Sequence, residues 1–139
     1  MIRIEMKRMS GDFGFEAVDS VGHVVKLDTS PDDGGSNFGF RPMQLLLAAF
    51  GECSVIDVIS ILKKQRQVVQ DVSIVIEGER HPSKIPSLWT AISIHFKLSG
   101  TIEREKALKA CALSIEKYCS VAETLRCAGA VISWELEII

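Results

Sequence analysis

The stretch RPMQLLLAAFGECS, residues 41–54, decides the fold of this chain. Pro42 suits the first position of a helix, where a missing backbone N–H costs nothing. The apolar run that follows predicts a helix over about residues 42–66, with cations at its end where the helix dipole favours them. Residues 45–50 are all apolar, so the first half of this helix has no polar face. A helix that is apolar all round is expected to be buried all round, with Cys53 near its middle.

Alternating apolar and polar residues predict strands on both sides of this helix. The order of elements is three strands, the long helix, two long strands, two helices and a closing strand. Because the strands come mostly in hairpins and the helices are few, the chain is expected to be one α+β domain over residues 1–139 with antiparallel sheets. The predicted strands and later helices cover residues 2–6, 13–19, 23–27, 68–79, 88–98, 102–118, 120–126 and 131–138.

Composition excludes several classes of protein. The chain has 139 residues, of which 47% are apolar and 24% charged, and this balance is typical of a globular domain rather than a disordered chain. Its net charge of −2 offers no attraction to nucleic acid or to an anionic membrane. The start has no apolar leader, and the apolar run at 43–51 is shorter than a bilayer span. A soluble, cytoplasmic protein that binds neither nucleic acid nor membranes is therefore predicted.

The cysteines do not have the pattern of a metal site. There are four, at positions 53, 111, 119 and 127, and no two of them form a C-x-x-C pair. The three histidines are scattered, so neither a zinc site nor an organic cofactor is expected. In the cytoplasm a static disulfide framework is also not expected. Cys111 falls on the apolar stripe of its helix and is predicted to be a core residue. Cys127 follows the last short helix and is predicted to be structural or loosely exposed.

Cys53 and Cys119 have more distinctive surroundings. Cys119 comes directly before Ser120-Val121-Ala122-Glu123, which matches the Ser-x-x-Glu capping box of a helix start. A thiol at a helix N-terminus is placed where the dipole favours the thiolate. The alternative is an ordinary apolar residue ahead of a cap. Cys53 lies between the small residues Gly51 and Ser54, which leave room for a second sulfur or a substrate, although a core cysteine would fit the same pattern.

Three motifs distinguish the chain: Arg41-Pro42-Met43, Gly51-Glu52-Cys53 and Tyr118-Cys119-Ser120-Val121. With these motifs the chain resembles the OsmC/Ohr family, the osmotically inducible and organic hydroperoxide resistance proteins. The resemblance covers nearly all of the chain, and it implies an OsmC-like fold in which antiparallel sheets surround the buried central helix of an intertwined homodimer. It also implies a thiol-dependent peroxidase. Cys53 would attack an organic hydroperoxide and become a sulfenic acid, Cys119 would resolve it as a disulfide, and a cellular dithiol would reduce that disulfide.

The chain departs from the peroxidase branch of that family at two places. That branch has a glutamate directly after the proline that opens the helix, and here the residue is Met43. It also has an arginine in the first hairpin that pairs with the thiolate, and the matching residues 11–15 contain none. Arg41 and Arg8 are the candidate replacements for the cation, and Glu52 is a candidate for orienting it. The chain therefore resembles a less-characterised branch with Pro-Met at the helix start.

Two other functions stay open on the sequence. Met43 in place of a carboxylate fits a non-enzymatic dimer that binds a small apolar ligand on the same fold. A redox sensor that signals through the disulfide would use the same two cysteines.

Overall fold

The computed structural model describes all residues, 1–139. It contains two compact units, Met1–Leu46 and Leu47–Ile139. The first unit holds a three-stranded antiparallel sheet in the order β1-β2-β3. Residues 2–4, which the alternation placed in the first strand, precede it. The strands are β1 (Glu5–Ser10), β2 (Gly14–Val18) and β3 (Val24–Leu27).

A side-chain cap forms the turn between β2 and β3. Asp19 Oδ1 accepts hydrogen bonds from the backbone N–H groups of Val21, Gly22 and His23 at 2.8–2.9 Å. Its other oxygen bonds the His23 ring at 2.8 Å. That hydrogen bond is the largest of the causes that lower the pKa of Asp19 to about 2. Asp19 thus has the role that aspartates commonly have in turns. It accepts hydrogen bonds from backbone N–H groups that have no partner on a neighbouring strand.

A buried carboxylate orders the polar loop after β3. Asp28 is only 2% exposed. Its Oδ2 accepts hydrogen bonds from the N–H and the hydroxyl of Ser36 and from the N–H of Phe38, at 2.9–3.1 Å. Burial by itself would raise the pKa of Asp28, but these hydrogen bonds outweigh it and hold the pKa below its ordinary value of 3.8. The loop is therefore built around one charged residue.

The second unit carries the helices and the second sheet. The long helix α1 (Pro42–Lys64) begins in the first unit and enters the second. It is followed by β4 (Val68–Arg80) and β5 (Trp89–Thr101), and then by α2 (Arg104–Leu113). A single π-helical turn, Ser114–Tyr118, continues α2, and it is called the π turn below. The chain then forms α3 (Ser120–Cys127) and β6 (Val131–Ile138).

One strand pair differs from the expected pattern. β4 and β5 are antiparallel, but β5 and β6 pair in parallel from Ala91↔Val131 to Leu98↔Ile138. The expectation of purely antiparallel sheets was therefore wrong for this pair. The physical reason is the connection, because the segment between the two strands is a helical crossover rather than a tight turn, and a crossover of that kind joins parallel strands. The α+β class and the long central helix are confirmed.

Helix α1 is buried along one stripe. The apolar run had led us to expect a helix buried all round. Its buried residues recur every three or four positions and include Phe50, Val58 and Leu62. Away from this stripe, Leu46 is 42% and Ile56 is 53% exposed. By length and composition alone this helix is apolar enough to cross a membrane. The core helix of a soluble protein can have the same length and composition, so this property does not by itself indicate a membrane span.

The core of the second unit forms between α1, β5 and the later helices. Alternate residues of β5 point into it, as period-two alternation predicts. Each such side chain, once buried, stabilises the fold by about 1.5–3 kcal/mol. Cys111 belongs to this core, and burial raises the pKa of its thiol to about 12. The large apolar residues of α1 and β5 that are fully or almost fully buried are Phe50, Val58, Leu62, Ile92, Ile94, Phe96 and Leu98.

Candidate functional site

Helix α1 positions the first thiol. Cys53 lies next to the buried stripe of the helix and is half-buried, packed against the core of the second unit. Gly51, two residues earlier, is where the helix comes closest to β4. A Cβ built on Gly51 would lie 2.5 Å from Ile76 Cδ1 and 2.7 Å from Ile74 Cδ1. Glycine therefore lets this part of α1 lie against the sheet, and it fixes the depth at which Cys53 sits.

The start of α3 positions the second thiol. Cys119 is the N-cap residue of that helix, and its Sγ accepts a hydrogen bond from the N–H of Ala122 at 3.3 Å. The sequence had assigned the cap to Ser120, but Ser120 is the first residue inside the helix. The observed cap is one residue earlier than the predicted one. The sulfur of Cys119 is therefore part of the helix start itself and not merely next to it. The cap side chain is the sulfur itself, so a free N–H of the first turn points at it.

The two thiols are neighbours. Cys53 lies close enough to Cys119 to affect the pKa of its thiol, and both are free cysteines. Cys119 is only 2% exposed. Burial is the largest cause of a raised pKa for the Cys119 thiol, and the neighbouring Cys53 adds to it, while hydrogen bonds from Ser54 and Ala122 act in the opposite direction. Cys119 is therefore held mainly as a neutral thiol beside a more accessible one.

Ser54 links the two helices at this point. Its hydroxyl is fully buried, 2.8 Å from the carbonyl oxygen of Phe50 and 3.4 Å from Cys119 Sγ, and it donates to these two acceptors. A serine hydroxyl has one hydrogen, so the two acceptors share it. The sequence had shown only that Ser54 is small, and the hydrogen bond to the sulfur depends on a contact across 65 positions of the chain.

The π turn holds the backbone of Cys119. The N–H of Cys119 donates to the carbonyl oxygen of Ser114 at 2.8 Å. The buried hydroxyl of Ser114 is 2.9 Å from the carbonyl oxygen of Ser54 and 3.2 Å from Asp57 Oδ2. Sequence reasoning missed Ser114. The signal for it was a serine inside an apolar helical stretch, since a buried hydroxyl needs a partner. The π turn is thereby joined to α1 beside the thiols.

Arg126 braces the same region from α3. Its Nη1 donates to the carbonyl oxygen of Ile115 in the π turn at 2.7 Å, and its Nη2 pairs with Glu123 Oε2 at 2.9 Å. The pKa of the Glu123 carboxyl is lowered, chiefly by the hydrogen bond from Arg126. Cys127, on the exposed side of α3, contacts the other oxygen of Glu123 at 3.6 Å. Arg126 is thus committed to the backbone and to a carboxylate.

The other residues proposed from the sequence have these positions. Glu52 is on α1, next to Cys53 in the chain, with its side chain exposed. Arg41 immediately precedes α1 in the first unit, and its guanidinium donates to Asn37 Oδ1 and to the carbonyl oxygen of Gly39. Arg8 is exposed on β1, opposite Phe15. Within the second unit, no lysine or arginine is a hydrogen-bond partner of either thiol.

This arrangement can carry out two-thiol chemistry. A half-buried thiol and a buried thiol are neighbours, and the second receives hydrogen bonds at its sulfur. Oxidation of the first to a sulfenic acid would place an electrophilic sulfur next to the second, and the pair could close as a disulfide. No group of side chains near the thiols has the composition of a metal site.

Comparison with known proteins gives this geometry a family context. The chain is 41% identical over 102 residues to protein YhfA of Escherichia coli K12, which covers 73% of this chain and 72% of YhfA. It is 33% identical to a hypothetical protein from Aquifex aeolicus VF5, whose crystal structure matches with a TM-score of 0.82 over 100% of this chain and 98% of that one.

A more distant structure has the same fold. An organic hydroperoxide resistance protein OsmC from Legionella pneumophila matches with a TM-score of 0.69 at 18% identity, over 99% of this chain and 96% of that one. The family model described as OsmC-like protein matches residues 32–135, a range that contains both thiols of the site. This chain therefore belongs to the OsmC-like protein family.

Proposed function

We propose that this protein is a thiol-dependent peroxidase that reduces organic hydroperoxides. The observation that carries the proposal is the proximity of two free thiols, one at the middle of α1 and the other at the N-cap of α3. Family membership supports it, since members of this fold include proteins described as organic hydroperoxide resistance proteins.

In the proposed cycle Cys53 reacts first. Its thiolate attacks the terminal oxygen of the hydroperoxide, the O–O bond breaks, and the alkoxide leaves as the alcohol after taking a proton. Cys53 is then a sulfenic acid. The sulfur of Cys119 attacks the sulfur of Cys53, the S–O bond breaks, and water leaves with the proton of Cys119. A cellular dithiol then reduces the disulfide by exchange and is itself oxidised. The roles follow exposure, because Cys53 is half-buried and Cys119 is buried.

Single-cysteine variants test this division of labour. Cys53→Ser is expected to abolish consumption of cumene hydroperoxide in the presence of a dithiol. Cys119→Ser is expected to consume about one equivalent and then stop, with a sulfenic acid at Cys53 that dimedone labels and mass spectrometry locates. Cys127→Ser, which removes an exposed thiol outside the site, is the matched control and should turn over normally. Undiminished turnover by Cys53→Ser would refute the proposal.

We also propose that the protein is a homodimer in the cytoplasm. The exposed apolar residues Leu46 and Ile56 on α1 support this, because an apolar face of this kind is usually covered by a partner. Sedimentation should give a mass of about twice 15.3 kDa. Ile56→Lys should shift the protein towards the monomer, whereas Glu105→Lys, at an exposed charged position on α2, should not. A monomeric parent protein would contradict this part of the proposal.

A second candidate function is a binding or redox-sensing protein that uses the same thiols without turnover. It is favoured by the absence of a lysine or arginine bonded to either thiol in the second unit, since a nearby cation is the usual means of generating thiolate. Measuring the alkylation rate of Cys53 against pH separates the two. A depressed pKa for Cys53 favours catalysis, and a raised one favours binding or sensing.

A further inference from the structure

We infer that Ser54 is a positioning residue for the second step of the cycle, in which Cys119 attacks the oxidised Cys53. This inference rests on the proposed function. It gives the buried hydroxyl of Ser54 a role in disulfide formation but none in the reaction of Cys53 with the peroxide. The carrying observation is the hydrogen bond from Ser54 Oγ to Cys119 Sγ.

The second step needs charge to develop on a buried sulfur. Cys119 must lose its proton while it forms the S–S bond, and its surroundings are the core of the second unit. An anion is stabilised there only by donors aimed at it. Two such donors exist, the hydroxyl of Ser54 at 3.4 Å and the N–H of Ala122 at 3.3 Å. Together they surround the sulfur as backbone and side-chain donors surround an oxyanion.

The hydrogen of Ser54 is free to follow that charge. In the neutral state it is shared with the carbonyl oxygen of Phe50 at 2.8 Å, which is the shorter of the two contacts. That carbonyl belongs to α1, so it keeps its helical hydrogen-bond partner when the hydroxyl turns away. As Cys119 becomes anionic, a charge-assisted bond to sulfur becomes the stronger alternative. Rotation of one hydroxyl therefore supplies stabilisation when the charge appears.

Ser114 holds the backbones of Ser54 and Cys119 in fixed positions relative to each other. Its carbonyl oxygen accepts from the N–H of Cys119, and its hydroxyl donates to the carbonyl oxygen of Ser54 and to Asp57. The backbone of the cysteine and the backbone of the serine are thus joined through one residue of the π turn. Single π turns inside helices are common at functional sites. This one holds Cys119 beside Ser54.

The test separates the two chemical steps in Ser54→Ala. Formation of the sulfenic acid at Cys53, followed by dimedone labelling in single turnovers with cumene hydroperoxide, should stay within about twofold of the parent. Formation of the Cys53–Cys119 disulfide, followed by rapid acid quench and mass spectrometry, should be about tenfold slower, the lower end of what losing a donor to a charged group costs. Ser60→Ala removes an exposed hydroxyl from the same helix and should change neither rate.

A second measurement does not depend on peroxidase activity. In a Cys53→Ser, Cys127→Ser background, the ultraviolet absorbance of the Cys119 thiolate is followed against pH, with and without Ser54→Ala, because this signal does not require a reagent to reach the buried sulfur. Loss of the hydroxyl should move the profile of Cys119 to higher pH. If the parent consumes no peroxide but the profile moves, the proposed function fails and the Ser54 contact stands. An unmoved profile, or equal slowing of both chemical steps, overturns the inference about Ser54.

Discussion

Closing the Cys53–Cys119 disulfide should stabilise the protein by a predictable amount. The two cysteines belong to different helices and are far apart in the chain, so a bond between them constrains the unfolded state. For a loop of about 65 residues the entropy model gives about 4 kcal/mol at 25 °C. Because the two thiols are already neighbours in the reduced protein, native-state strain should cancel only part of this gain. We therefore expect a net gain of about 2–4 kcal/mol.

The assay compares reduced and oxidised protein under otherwise equal conditions. Urea unfolding is followed by circular dichroism in a Cys127→Ser background, which removes the exposed thiol and prevents cross-linking between molecules. The two forms are measured at one protein concentration, because oligomerisation makes stability concentration-dependent. For a chain of this size the gain corresponds to a rise in Tm of about 10 °C. Cys53→Ser should show no response to oxidation.

Either of two outcomes would refute the reasoning. If mass spectrometry shows a complete Cys53–Cys119 bond and the unfolding midpoints of the two forms still coincide, the bond is formed at the cost of native packing. If mild oxidation with diamide gives no such bond in folded protein, the contact between the thiols does not have the geometry that a disulfide requires.

Three further predictions concern packing and protonation. Gly51→Ala gains about 1 kcal/mol of helix propensity but overpacks against Ile76, at a cost of about 1–3 kcal/mol. Adding Ile76→Val removes the nearer of the two methyl groups that the added Cβ meets, and it should recover at least about 0.5 kcal/mol relative to additivity in urea unfolding. Strict additivity would contradict the close contact. The Asp28 carboxyl has a folded pKa below 3.8, so its stabilisation is complete above the unfolded pKa and is lost as pH falls through the folded one. Asp28→Asn should therefore flatten the decline of unfolding midpoints between pH 5 and pH 2, and an unchanged slope would speak against the role of this carboxylate. Burial raises the pKa of Cys111 to about 12, so this thiol should resist iodoacetamide at pH 8 until urea is added, whereas the exposed Cys127 should be labelled in the native protein. Equal labelling of the two cysteines in peptide mass spectrometry would contradict this prediction.

Local patterns in the sequence were sufficient for most of the elements. The closing strand was predicted at 131–138 and is observed as Val131–Ile138. The long helix was predicted at 42–66 and is observed as Pro42–Lys64. Both have unbroken periodicity over many residues, and such segments leave little choice of structure. The π turn was not predicted, because it differs from an α-helix by one residue per turn and leaves the apolar spacing almost unchanged.

Pairing between strands was harder to predict than the strands themselves. β6 alternates in the same way whether its neighbour runs parallel or antiparallel to it. The missing information was in the connection, where about 30 residues of helical sequence between β5 and β6 indicate a crossover. How much of α1 a single chain buries was hard to predict for a similar reason. The sequence shows which residues avoid water, but not whether the same chain or a partner covers them.

The candidate site needed both kinds of information. Local sequence placed Cys119 at a helix start, within one residue of the observed cap. It contained no sign that Cys53 and Cys119 are in contact, and that pairing came from the family resemblance. Ser54 could not have been identified as a partner of the Cys119 thiol, nor Ser114 as a partner of Ser54, because these hydrogen bonds join segments about 60 residues apart.

The parallel crossover between β5 and β6 has a consequence for the order of folding. β4 and β5 are joined by a short connection and can pair early, since their contacts are local. β6 can add to the sheet only after the crossover that carries Cys119 has closed a large loop. The helix start that holds Cys119 is therefore completed late, and the two thiols meet near the end of folding. In a refolding experiment, the capacity to form the disulfide should appear with the slowest phase rather than with collapse.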